Sequence, residues 1–561
     1  MRGCLAATAF AVTAVAFALG ASPSGAARSA EVVRLPLPRY DGTLTPYTFE
    51  QAYPLVTLVY DTLMWRDADG VPQPWLARSV TRSEDGQRVT IRLREGVRWH
   101  DGLPLTADDV AFTFRFMASR FQPSFTPQLS NVEQVRAVSS DVVAFDLRRP
   151  SLGFDDQPLS DVPILPRHLW EGLEGTEAVP PGLPVGSGPY RLVQAGASDG
   201  YDFSANEQYF LGRPRVSRIR VPIIRDEEET YRALERREVD MLPFPLNEGT
   251  ADDLGEGSSI AVKRGPNFIG TALVLNVRRP PFDRLPVRRA VAQALDLSRV
   301  LRNTGPGVPA DRGNLHPDSR WAPDAILHGE DVSAAQRAFE SLGLPPIEVL
   351  APDNDGVRLE AGRQVMLALQ RAGTRAILRE LPSARLDEII TGSGADPDFQ
   401  AAIVSTPALS SYDPDFLVSE FGSGVAPFNF SGYRSAAFDA LAEQVAAAPD
   451  PEARRLAVAE ELRQLEADVP VIPLFFSDAA FAYRQAVYDG WVFIEGTGIL
   501  DKRSFLAGQS RPAAGGAFQA PDATGSDAAA NAIRRGALAV LVIAAALAAV
   551  GIVVRLRARE K

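Results

Sequence analysis

Apolar and polar side chains alternate along residues 89–93, where Thr90 and Arg92 separate Val89, Ile91 and Leu93. This is the period of a half-buried strand. Gly96 then turns the chain and Val97 and Trp99 begin a second extended piece, so the pattern predicts a hairpin. Past the Asp101-Gly102 turn and Pro104 the period changes. Thr106 is a suitable helix N-cap, and Asp109 stands three residues on, where a carboxylate can return a hydrogen bond and face the positive end of the helix dipole. Val110, Phe114 and Met117 follow at i, i+4 and i+7, and Phe112 and Phe116 widen the stripe. A helix is predicted from Ala107.

The same two periods divide the rest of the chain. Strands are predicted near 32–38, 142–147, 190–193, 219–224 and 347–350, and helices over 56–65, 227–237, 359–372, 437–447 and 451–467. Residues 268–277 form an apolar run bounded by Pro266 and Pro280, the pattern of a fully buried strand. Strands alternating with helices indicate an α/β fold. The acid run Asp226 to Glu229 reads as a solvated helix start.

Both ends depart from this pattern. Arg2, an apolar run from Leu5 to Leu19 and the small residues Gly25, Ala26 and Ala27 make residues 1–27 a secretory signal peptide. Cys4, the one cysteine, precedes the apolar run, so it is no lipoprotein acceptor, and the mature chain is expected to have neither thiol nor disulfide. Residues 508–531 are rich in Gly, Ala, Pro and Ser and read as a flexible linker. Residues 536–554 are uncharged and apolar, and at ~1.5 Å per residue they reach about 28 Å, enough to span a bilayer core. Arg555, Arg557, Arg559 and Lys561 outnumber Arg534 and Arg535, which places the C-terminus in the cytoplasm and the body outside.

The 561 residues, 45% hydrophobic and 23% charged, are a globular composition. A net charge of -12 leaves no basic stripe for phosphates and argues against a nucleic-acid partner. Gly186 and Gly188 lack the third glycine of a dinucleotide fingerprint and the Lys-Ser/Thr of a P-loop. No G-x-S-x-G, H-E-x-x-H or C-x-x-C motif occurs, and His100, His168, His316 and His328 stand far apart in unlike contexts. The chain is therefore read as no enzyme, with no cofactor and no metal site, and its histidines as surface or hydrogen-bonded structural residues.

The string W-H-D-G-L-P-L-T-A-D-D-V-A-F-T-F over residues 99–114 resembles the signature of the family 5 solute-binding proteins of ABC transporters, the dipeptide, oligopeptide and nickel receptors. The resemblance covers roughly residues 31–505 and includes Val185-Gly186-Ser187-Gly188-Pro189-Tyr190, the crossing-strand region 268–290, and 429–476. It implies a two-lobed α/β receptor of the periplasmic-binding-protein (Venus-flytrap) type, with an extra subdomain in the first lobe and, here, a C-terminal transmembrane helix. The boundaries it suggests are 1–27 for the signal peptide, 28–282 with 470–507 for the first lobe (54–183 inserted), 283–469 for the second lobe, 508–533 for the linker, 534–555 for the span and 556–561 for the cytoplasmic tail. Its expected partners are a small polar or peptide-like solute, ABC permease subunits with their cytoplasmic ATPase, and the membrane. A tethered ligand sensor of the same fold without its own permease is the alternative.

The resemblance places candidate ligand contacts at Tyr47, Phe268, Ser410, Ser411 and Tyr412. In peptide receptors of the family an aspartate three residues before the D-P pair holds the ligand's amino group, and here Ser410 stands there. The aromatic usually found a few residues upstream is replaced by Val404-Ser405-Thr406-Pro407. A hydroxyl brings no charge to a buried ammonium. Asp413, next to Pro414, is expected to be tied to local backbone. The reading therefore favours a neutral or anionic solute, or a modified peptide, over a free peptide amine.

Overall fold

A computed structural model describes residues 29–506 apart from 50–51, 174–178, 247, 257–258, 325–329, 393–396, 425 and 497. The expected signal peptide, linker, membrane span and tail, and His328, lie outside the described residues. Among the described residues no helix is long and apolar enough to cross a membrane.

The capping pattern of the sequence is realised at helix Ala107–Ser119. The Thr106 backbone N–H donates to Asp109 Oδ2 at 2.8 Å, and Val110, Phe114 and Met117 are buried. Strand Arg88–Leu93 also forms, but the expected hairpin does not. It pairs antiparallel with Ala77–Arg82 on one side and Val142–Leu147 on the other, and Val132–Ser139 completes a four-stranded sheet. Val97 and Trp99 bury their side chains in the lobe core instead, and Arg98 forms only an isolated bridge with Pro104. Periodicity had given the strand and could not give its partner, which is distant in sequence.

The helix expected over 56–65 is shorter and earlier, Tyr53–Val59, and Met64–Arg66 is a strand paired with Pro72–Pro74. Tyr60 is already extended, with φ -114° and ψ 141°. The next residue, Asp61, is wholly buried and accepts hydrogen bonds from Trp75, Tyr209, Ser187 and Lys502. That polar knot fixes the chain where local propensity would continue the helix. A second four-stranded sheet of the first lobe runs in the order Ala30–Arg34, Val216–Val221, Gly200–Ala205, Tyr190–Gly196.

Gly186 and Gly188 enter this lobe for a reason other than backbone freedom. Neither has a positive φ. A Cβ on Gly186 would stand 1.9 Å from the Val59 carbonyl oxygen, and one on Gly188 2.3 Å from that of Leu58. The loop has to press against the end of helix Tyr53–Val59, where the Gly188 N–H donates to the Val59 carbonyl at 2.8 Å.

The two lobes are joined by a pair of long strands, Ile260–Leu275 and Val471–Arg484, antiparallel to each other over nearly their whole length. The register breaks between Pro266 and Gly270. Residues 260–266 pair with 478–484, where Met241, Phe481 and Tyr483 join the first lobe's core. Residues 270–274 pair with 471–476, and Leu273, Leu275, Ile472, Leu474 and Phe475 enter the second lobe's core. Both crossings are therefore longer than the runs the sequence indicated. The six-stranded sheet they anchor has the order Gly307–Pro309, Val471–Arg484, Ile260–Leu275, Ala401–Thr406, Ile347–Pro352, Ala376–Leu381. The last three strands are mutually parallel and Ala401–Thr406 is antiparallel to Ile260–Leu275. Their carboxyl ends consequently point to the break in the crossing strands, where open α/β sheets present ligands.

Candidate functional site at the lobe junction

The strand Ala401–Thr406 ends in Pro407, and a single helical turn, Leu409–Tyr412, carries Tyr412 into the space between the lobes. The turn stops at Asp413, which is extended and caps Pro414–Phe416 by accepting the Asp415 N–H at 3.1 Å. Tyr412 is 4% exposed. Its ring lies 5.2 Å from that of Phe268, its hydroxyl donates to the Glu495 carbonyl, and the Arg66 guanidinium sits 4.6 Å above its centroid. A Cβ on Gly70 would come within 2.9 Å of this ring, so the glycine lets the first lobe close over it.

Behind Tyr412 the aromatic wall continues across the crossing strands. The Phe268 and His316 ring centroids are 4.8 Å apart, and those of His316 and Phe476 are 5.0 Å apart. The Ser411 hydroxyl accepts the His316 backbone N–H at 2.9 Å, and Ser319 donates to the Ser411 carbonyl at 2.5 Å. His316 Nδ1 accepts the Asp318 N–H, and burial holds the ring's pKa down to about 3, so the imidazole is neutral. His100 is likewise buried, its pKa lowered to about 4, and it bonds the Gly186 N–H and the Gly188 carbonyl; His168 meets Asp101 at 2.7 Å. Among the described residues no three His, Cys, Asp or Glu side chains are placed to hold a metal ion.

Around Tyr412 lies a buried ionic network shared by the lobes. Arg66 bonds Asp161 at 2.7 Å and faces Asp156 at 3.6 Å, while Arg320 reaches Asp156 from the second lobe. Arg454 binds Asp413 and, at 2.9 Å, Asp415, and its field also reaches Glu461. Five carboxyl groups, Asp156, Asp161, Asp413, Asp415 and Glu461, thus meet three guanidiniums, those of Arg66, Arg320 and Arg454. Burial pushes Asp156 up to about 7 and Asp415 up to about 6, with Asp413's charge acting in the same direction and the arginines opposing it.

This gives folding a pH dependence of definite sign. An acid whose pKa is raised by burial in the folded chain holds a proton more tightly folded than unfolded. Its favourable contribution is complete below the ordinary aspartate range and is lost as the pH rises through about 6 to 7. The fall in urea midpoint between pH 5 and pH 8 is expected to be smaller in Asp415→Asn than in the wild type. A fall of the same size or larger contradicts this.

Of the residues singled out from sequence, Phe268, Ser411 and Tyr412 are brought together. Ser410 is adjacent in the chain, but its hydroxyl turns into the second lobe and donates to Glu420. Tyr47 stands apart from them, packed against Phe116 and Trp170 beneath Arg120, with its hydroxyl donating to the Arg120 carbonyl at 3.2 Å. Asp413 is held by local backbone as expected, and also by Arg454. Sequence reasoning missed Arg66, Asp156, Arg320, Arg454 and Glu420. None lies in a recognisable motif; the three arginines and Asp156 meet only where the lobes touch, and Glu420 meets Ser410 within the second lobe.

Two crossing strands between α/β lobes, with an aromatic and ionic junction at their midpoint, are the architecture that the sequence resemblance implies. Residues 71–427 match the model of the bacterial extracellular solute-binding proteins, family 5. The chain belongs to this family. Protein XP55 of Streptomyces lividans is 26% identical over 489 residues, spanning 83% of this chain and 88% of that protein. The dipeptide-binding protein of Escherichia coli K12 is 27% identical over 296 residues, 48% of this chain and 55% of that one. The crystal structure of the ABC transporter substrate-binding protein CtaP of Listeria monocytogenes superposes with a TM-score of 0.75 at 22% identity, covering 85% of this chain and 99% of that one. The two-lobed family 5 fold is thereby shared along nearly the whole described body.

Proposed function

We propose that this family 5 protein is the solute receptor of an ABC importer, held outside the cytoplasmic membrane by residues 534–555 after removal of residues 1–27. Lobe closure around a small polar or peptide-like solute presents the closed form to a permease and its ATPase. The observation that carries the reading is the paired crossing strands, whose register breaks beside Phe268, with Tyr412 facing that ring from the second lobe. Two lobes on such a joint can exchange between open and closed arrangements, and a solute shifts that exchange only through contacts it gains on closing. Phe268 and Tyr412 supply an aromatic wall, and Ser411, whose hydroxyl also accepts the His316 N–H, supplies a hydroxyl beside it. The Escherichia coli relative is a dipeptide-binding protein, which supports a peptide-like solute.

The test has two parts. A chain cut after Gly508 is expected in the soluble fraction as a folded body, while the full chain sediments with membranes; a truncated body that stays in the membrane rejects the tether. A solute that raises the melting temperature is expected to reduce the radius of gyration in scattering. A bound solute that leaves the radius unchanged rejects the receptor mechanism.

A further inference from the structure

Asp413 of the second lobe uses its two carboxylate oxygens unequally. Oδ1 accepts the Asp415 N–H at 3.1 Å and the Arg454 guanidinium, both from its own lobe. Oδ2 is buried and receives no hydrogen bond among the described residues. It lies instead against the first lobe. A Cβ placed on Gly153 would stand 2.2 Å from Oδ2 and 2.9 Å from Cγ. The Gly153 Cα, one bond further back, is therefore at most about 3.7 Å from that oxygen, which is van der Waals contact. No solute atom or water fits between them.

Gly153 has no conformational reason to be glycine. Its φ is not positive, unlike that of Gly70 and Gly496, which approach Tyr412 in the same junction. The three atoms nearest to a Cβ at residue 153 all belong to Asp413, so it is the opposite lobe that forbids a side chain there. Within its own lobe the residue is well anchored. Its carbonyl accepts the N–H groups of Asp156 and Gln157 at 2.9 and 2.8 Å, and Phe154 enters the first lobe's core. The turn that builds the seat thus also presents Asp156 to Arg320 of the second lobe. Four residues before the seat, Arg149 makes a further ion pair across the junction with Glu443.

These contacts act in opposite directions. Docking strips Oδ2 of water and offers it only a C–H, so the seat does not draw the lobes together. It limits their approach. The attraction comes from the ion pairs beside it, above all Arg320 with Asp156, whose carboxyl group is 1% exposed.

We propose that Asp413 against Gly153 is the closing stop of the two lobes, and that Arg320 with Asp156 is the lock that holds them at it. The inference rests on the receptor reading above and deepens it: the fully closed angle is set by the protein's own contacts and does not vary with the solute held. Gly153 and Arg320 are positioning residues in this scheme.

The test is a trap across the seat, made in the full chain in detergent. The Asp413 Cβ, bonded to the Cγ that lies 2.9 Å from the Gly153 Cβ position, is within about 4.4 Å of that position, which is disulfide range. Gly153→Cys with Asp413→Cys, in a Cys4→Ser chain that has no other thiol, is expected to close a disulfide in more than half of the molecules on mild oxidation, read as a shifted band on a non-reducing gel. Arg320→Gln in that chain is expected to slow the trap roughly 5- to 10-fold, as the closed fraction falls with the lost ion pair. Gly153→Ala alone is expected to lengthen the distance between spin labels at Val138→Cys and Leu456→Cys, one exposed on each lobe, while the melting temperature falls by less than about 2 °C. Asp413→Ser keeps an oxygen for the Asp415 N–H and removes the arm that meets residue 153, so it is expected to restore the wild-type distance in the Gly153→Ala chain. A glycine needed only inside its own lobe would not be rescued from the other. No disulfide, or a Gly153→Ala distance equal to that of the wild type, overturns the stop and leaves the receptor reading standing. Trapping at an unchanged rate in Arg320→Gln overturns the lock. The receptor reading itself falls on a different result, a bound solute that leaves the radius of gyration unchanged.

Discussion

Arg454→Met is expected to destabilise the protein by about 3–5 kcal/mol, the usual cost of stripping the partner from a buried charge. Arg454 is 1% exposed, bonds Asp413 and Asp415, and lies 4.5 Å above the Trp321 ring. Burial disfavours its charge, but the fields of Asp413 and Asp415 outweigh that and hold the guanidinium protonated. Methionine fills much of the same space and leaves Asp413, 0% exposed, without a counter-charge and beside Asp415 and Glu461. The surviving acids must then take up protons, so the loss is larger at pH 8 than at pH 5. Urea unfolding at both pH values reads this as a fall in midpoint at constant slope. Asp413→Asn in the same chain is expected to recover part of it, giving a coupling energy. A loss under about 1 kcal/mol at pH 8 would show that the network adds no net stability.

Asp61→Leu is the second large effect, again about 3–5 kcal/mol. Asp61 and Lys502 are both wholly buried, 3.0 Å apart, and the ammonium lies 3.9 Å from the centroid of the Trp65 ring. Burial lowers the Lys502 pKa and Asp61 works against it. Removal of the aspartate leaves that ammonium unpaired and also strands the donors of Tyr209 and Ser187, while the Trp75 N–H, the third donor, keeps only the Tyr209 hydroxyl at 3.0 Å. The reverse change is milder. Lys502→Met leaves Asp61 with those three neutral donors, so its cost is expected to be at most half that of Asp61→Leu. Thermal unfolding of the two single variants and their double checks the order; equal losses would contradict it. The pair matters to architecture because it pins residue 502, close to the expected linker, onto the first lobe.

Much of the fold was legible wherever a local signal sufficed. The Thr106 and Asp109 pairing starts its helix where the spacing put it, and strand Val142–Leu147 has the predicted bounds. The crossing region was found through Pro266, Pro280 and the apolar run between them, although the strand begins eight residues earlier, at Ile260. Its first half, with Lys263 and Arg264, is only partly buried and so lacks the continuous apolar signal. Failures occurred where distant residues decide. Asp61 ends a helix because Lys502, Trp75 and Tyr209 hold it, and no window around residue 60 contains them. The same holds at the candidate site. Asp413 was visible as an acid near Ser410, whereas Glu420, ten residues on, carries no local signal and is buried only by packing.

The break between Pro266 and Gly270 ties recognition to mechanics. A hydrogen-bonded ribbon resists flexing, so rotation of one lobe against the other collects where the ladder is interrupted, and Phe268 lies inside that interruption. A solute touching the Phe268 ring presses on the pivot itself. Occupancy and bending then cease to be separate events joined by a transmission path. On the receptor reading proposed above, a substitution that adapts this ring to a new cargo also resets the resting angle of the jaws, so specificity and the threshold for engaging a transporter drift together during descent.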